Sequence, residues 1–168
     1  MSVWIVFSNN EKIGSRVISY GTTKKPTIDN VPSHFSYCFK ETYVLESRLT
    51  SGVHADEWEN FKSKNKIIAI FDVTENVEEI YGKWYKYYQY VYKKIMGKAY
   101  DWPAVYYLGW RYFLWKFLSR KLPIINKKND ENKYFCVEIF EDIFRDSLEM
   151  YSPNRLMARC QKSLKRVL

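Results

Sequence analysis

Residues 33–53, SHFSYCFKETYVLESRLTSGV, set two apolar segments on either side of a short polar break at Lys40-Glu41. In the first, Phe35, Tyr37 and Phe39 alternate with Ser36, Cys38 and Lys40, the period of a half-buried strand. The second, Thr42 to Glu46, follows at once, so the pair predicts a β-hairpin with a tight turn near Lys40-Glu41. In such a hairpin the base of the first strand lies beside the end of the second. His34 and Glu46 then become neighbours if they share a face.

On either side of the hairpin lie two further apolar runs of strand length, Val3 to Phe7 and KIIAIFDV at residues 66–73, the latter suited to a buried strand. From Thr74 the period changes. Val77, Ile80, Tyr81, Trp84, Tyr88, Val91 and Ile95 stand three or four apart, which predicts one long amphipathic helix ending near Gly97. Pro103 suits a helix start, and the pattern carries on to about Arg120 before Pro123. Asn126 to Lys133 reads as a loop, and Phe135–Tyr151 and Asn154–Val167 read as helices around Ser152-Pro153. Strands first and helices after predict an α+β fold, and with no repeat or long linker the chain reads as a single domain, 1–168.

At 168 residues the chain has room for one core. Its composition is 46% hydrophobic and 27% charged, with a mean hydropathy of -0.45, which argues against a membrane-embedded protein. The apolar stretch Trp102 to Leu118 is broken by Pro103, Gly109, Arg111 and Lys116, so it reads as a helix buried under the sheet rather than a membrane span. No basic leader or small-residue cleavage site opens the sequence, which predicts a cytoplasmic protein and suits a phage or bacterial one. Cys38, Cys136 and Cys160 are an odd number without metal-type spacing, so a reducing compartment, no metal and no cofactor are expected. A net charge of +8 allows contact with nucleic acid or an anionic membrane, and YGKWYKYYQYVYKK at residues 81–94 interleaves lysines with tyrosines. The cations are nevertheless scattered, and a solvated surface is the simpler reading.

The candidate chemistry lies in NKYFCVEIFEDIF, residues 132–144. A cysteine becomes nucleophilic beside a histidine and at a helix N-terminus, where its thiolate is favoured. Cys136 meets the second condition, at the head of a stripe formed by Val137, Phe140, Ile143, Phe144 and Leu148. A buried cysteine that only packs is the commoner case, so a base is required. Of the two histidines, His54 lies in a polar stretch and reads as an exposed loop residue. His34 follows Pro32-Ser33 at the start of a strand, a rigid place from which to aim a ring, and Glu46 would orient it.

SHFSYCF and TYVLESRLTSGV, followed about ninety residues after Glu46 by YFCVEIF, resemble the circularly permuted branch of the NlpC-like, papain-like cysteine hydrolases. That branch includes relatives of lecithin retinol acyltransferase. The order histidine, polar residue about a dozen positions on, then cysteine is met by His34, Glu46 and Cys136. Ser33, the Gly52-Val53 pair, Tyr100-Asp101 and Glu138 match further family features. Val137 departs from the serine common at that place, and the usual Gly-Asp near the start is missing around Val3 to Ser8. The resemblance implies a barrel-like antiparallel sheet from the N-terminal half packed against C-terminal helices. It also implies a Cys136/His34/Glu46 triad that forms an acyl-enzyme from a small peptide, amide or acyl substrate, with Tyr100 lining the cleft. Two other readings stay open: a catalytically silent binding module, and a lipid acyltransferase whose 102–118 helix lies on a bilayer.

Overall fold

The aromatic alternation does fold as a hairpin. In the computed structural model, which describes residues 2–10, 31–39, 41–48, 50–118, 133–134, 136–144 and 153–168, β1 spans Val3–Asn9, β2 His34–Phe39 and β3 Tyr43–Arg48. The β2–β3 turn passes through Glu41 at a φ of 56°, and the Thr42 amide donates to the Phe39 carbonyl at 2.9 Å. Thr50, Ser51 and Gly52 then turn the chain into β4, Gly52–Glu57, which pairs with β3 and puts His54 opposite Glu46. The loop expected around His54 is therefore a strand.

Helix α1 (Trp58–Lys64) follows, then β5 (Lys66–Asp72). The sheet runs β4-β3-β2-β1-β5-β8, its last strand being Lys165–Arg166 from the C-terminus rather than from the N-terminal half. Every pairing in this sheet is antiparallel, and it stays open: the barrel-like closure expected from the resemblance is absent. Closure would need a ladder between β4 and β8. Residue 53 of β4 instead turns its backbone to the Gly97–Lys98 segment, and β8 contributes only two exposed residues.

Both faces of the sheet are covered. Ile5, Phe7, Phe35, Tyr37, Leu45 and Phe71 belong to the main core, while Val6, Cys38, Val44 and Ile70 pack with Trp58 and Phe61 of α1. Cover by α1 on the second face makes β2 buried along nearly its whole length instead of half-buried.

The long helix expected from Thr74 to Gly97 is divided. Helix α2 covers Thr74–Tyr81 and α3 covers Trp84–Tyr90, running into a π-helical turn at Val91–Ile95. Gly82, at φ 75°, ends α2 in a left-handed conformation that costs glycine little. Beyond lie β6 (Ala99–Tyr100), α4 (Trp102–Leu118), β7 (Lys133–Tyr134), α5 (Glu138–Phe144) and α6 (Pro153–Ser163). Arg120, Pro123, the 126–132 part of the expected loop, Phe135 and the 145–151 part of the expected helix lie outside the described residues. Helix α6 stops at Ser163, before the Val167 expected, because Lys165–Arg166 pairs with β5.

Gly52 joins the sheet to the strand pair beside it. At φ 65° it lies so close to Lys98 that a Cβ would stand 2.1 Å from the Lys98 carbonyl oxygen. The same carbonyl accepts the Val53 amide at 2.8 Å. Gly52→Ala is expected to destabilise the fold by about 2–3 kcal/mol, a left-handed penalty plus a backbone clash, read as a lower denaturation midpoint.

Candidate active site

β6 and β7 pair in parallel, Ala99 with Lys133 and Tyr100 with Tyr134. Two hydrogen bonds reach the Tyr134 carbonyl, from the Ser47 hydroxyl at 2.6 Å and the Asp101 amide at 3.3 Å. The chain is thus pinned to β3 two residues before Cys136. Cys136 and Val137 form a turn, and α5 begins at Glu138. The cysteine stands just ahead of the helix rather than on its first turn, and the described helix is only seven residues long.

His34 occupies the first position of β2, two residues before Ser36, and Ser36 is the register partner of Glu46. The diagonal offset puts the ring against the carboxylate, with His34 Nε2 2.9 Å from Glu46 Oε2. His34 also hydrogen-bonds the Cys136 side chain. With Nε2 held by Glu46, Nδ1 is the nitrogen left for the thiol. The structure therefore brings Cys136, from far along the chain, to the His34–Glu46 pair of the hairpin.

Burial by itself would depress the His34 pKa. The hydrogen bonds and negative charge of Cys136 and Glu46 outweigh it and push the value from 6.5 up to about 9. The ring nevertheless keeps a 16% exposed side chain, so one edge of the site opens to solvent.

Glu46 is 2% exposed, and burial alone would raise its pKa. His34 and Arg48 overcome this and hold it below the usual carboxylate value. Arg48 forms ion pairs with Glu46 Oε1 and, at 2.9 Å, with Asp56 Oδ2. His54 Nε2 stands 3.6 Å from the same Glu46 Oε1.

Arg48 and His54 went unrecognised in the sequence. The signal was the turn at Thr50-Ser51-Gly52, which makes 43–57 a second hairpin and sets Arg48 on the same side of its strand as Glu46. Arg48→Met is expected to lower stability by about 1–3 kcal/mol at neutral pH, since it strips a buried carboxylate of one of its cations, leaving His34. Because the folded pKa of Glu46 is depressed, the pair's contribution is present above about pH 4.5 and lost as pH falls through the folded value. Denaturant midpoints should therefore differ between wild type and variant near neutrality and converge in acid.

Tyr100, expected to line the cleft, lies close enough to Cys136 for their charges to interact. Its hydroxyl is pushed well above the usual tyrosine range, first by burial and then by the negative charges of Cys136, Glu138 and Asp101. It stays a neutral donor. Asp101 and Glu138 are themselves buried. Among the described residues no cluster of three or more His, Cys, Asp and Glu is placed to hold a metal ion.

Comparison of the chain with protein-family models, curated proteins and solved structures finds no match in any of the three.

Proposed function

We propose that this chain is a thiol hydrolase of the permuted papain-like kind, acting on an amide or ester through Cys136, His34 and Glu46. The supporting observation is the His34 ring, bonded to a thiol on one side and a buried carboxylate on the other. In this reading the Cys136 proton passes to His34, and Glu46 holds the ring and stabilises the imidazolium. The thiolate adds to the carbonyl carbon, and the tetrahedral intermediate collapses with cleavage of the C–N or C–O bond. The imidazolium gives its proton to the departing nitrogen or oxygen. Water, deprotonated by His34, then hydrolyses the thioester and regenerates the thiol. An acceptor other than water would make the same acyl-enzyme a transferase, so both outcomes share the first half-reaction.

An activated ester is the direct test. Purified protein mixed with p-nitrophenyl acetate is expected to release a burst of nitrophenolate and gain one acetyl group, mapped to Cys136. Acetylation of Cys38 or Cys160, or a burst kept in Cys136→Ala, would count against the proposal. With an amide in place of the activated ester, the acylation rate should fall as pH rises through about 9, where His34 gives up the proton that the departing nitrogen needs; nitrophenolate leaves without one.

A further inference from the structure

Helix α4 was expected beneath the sheet, yet one side of it faces solvent. Trp102, Tyr106, Trp110, Phe113 and Phe117 are 40%, 70%, 57%, 47% and 62% exposed. Spacings of four, four, three and four residues collect them in an arc of about 80° along a helix about 25 Å long. Their rings lie against one another, Trp102 on Tyr106 at 5.6 Å, Trp110 on Phe113 at 5.5 Å and Phe113 on Phe117 at 4.9 Å. Residues 83–118 also carry seven Lys and Arg against a single acid, Asp101, which is buried. That stretch therefore carries a net charge of +6, against +8 for the whole chain, and with Tyr85, Tyr88 and Tyr92 it exposes three more aromatic side chains.

We infer that this aromatic stripe is a docking face for an anionic bilayer surface, with α4 lying in the plane of the headgroups. Two physical facts select this occupant. Tryptophan, tyrosine and phenylalanine on one face of a helix, in a segment whose sequence carries a net charge of +6, match the boundary between headgroups and acyl chains. Among the described residues no helix is long and apolar enough to cross a membrane, so the contact is interfacial.

The competing occupants fit less well. A second copy would bring two segments of net charge +6 together. A single-stranded nucleic acid needs free ring faces interleaved with cations, whereas the rings of the stripe lie on one another and no charged residue stands among the five positions. The Trp102 ring also lies 5.4 Å from that of Tyr100, so the docking face begins beside the candidate active site. The inference does not rest on the chemistry of Cys136.

Sedimentation of the full chain with phosphatidylcholine vesicles, with and without phosphatidylserine, tests it. Binding to the serine-containing vesicles is expected, weakening as salt rises. Trp110→Ser/Phe113→Ser, both at exposed positions, should bind at least about tenfold more weakly with an unchanged circular dichroism spectrum. Should that double variant misfold, Phe117→Ser and, separately, Lys93→Glu/Lys94→Glu are each expected to weaken binding. No binding to either vesicle, or equal binding by the folded variants, overturns the inference. So does a dimer, or an oligonucleotide complex, that forms without vesicle binding and is lost in the double variant.

Discussion

Alkylation of Cys136 by iodoacetamide near pH 7 is expected to slow at least about tenfold in His34→Ala, to the rate of an ordinary cysteine. The imidazolium that holds the thiolate in the proposed mechanism is then missing. The other two cysteines serve as internal controls. Burial pushes Cys38 and Cys160 each up to about 12. At neutral pH only about one in 10⁵ of either would be ionised, so wild-type labelling should fall on Cys136. Peptide mapping after short exposure reads this directly. Labelling spread over all three cysteines, or a Cys136 rate indifferent to His34, would remove the activated thiolate and leave a cysteine that packs.

Phe35→Ala should cost about 3–5 kcal/mol of stability, the range for deleting a fully buried aromatic ring. Phe35 has no exposed surface, and its ring lies 5.4 Å from Phe7, 5.0 Å from Tyr37 and 5.8 Å from Phe140. The first two contacts hold the sheet's core, while the third joins it to the helix that follows Cys136. Because Phe35 is also the residue next to His34, its loss should loosen the cysteine from its base as well as the fold. Denaturant unfolding is expected to show the full loss, and Cys136 alkylation should slow even where the variant remains folded. A loss under about 1 kcal/mol would mean that Phe140 and Tyr37 close the gap.

Much of the candidate site could be read from residues 33–53 because a hairpin is local. Aromatic alternation sets which side chains face the core, and the turn near Glu41 sets the register. Those two together place Glu46 diagonally across from His34 without reference to the rest of the chain. His54 and Arg48 were missed for a related reason: the turn at Thr50-Ser51-Gly52 has no aromatic alternation beyond it. His54-Ala-Asp-Glu therefore looks like a polar loop until it pairs with β3.

Helix periodicity proved less reliable. Val77 to Ile95 keep helical spacing through Gly82, but spacing does not register a residue that adopts φ 75° and ends the helix. Nor does it show which face of an apolar helix is covered. The pattern from Trp102 to Leu118 suits burial, interfacial docking and membrane insertion alike, and only the placement of α4 exposed its aromatic stripe.

The sequence alone determined the α+β order, the central hairpin and the juxtaposition of His34 with Glu46, because each follows from contacts between near neighbours. Three features were decided only by the tertiary structure. Closure of the sheet depended on whether distant β4 and β8 could meet, and β4 turns instead to Lys98. Cover on the second face of β2 depended on where α1 packs. The approach of Cys136 to His34, across about a hundred residues, depended on the Ser47 bond to Tyr134 and on Phe140 packing against Phe35. Such long-range contacts carry no local periodicity, since their free energy comes from surfaces that exist only once the chain has collapsed.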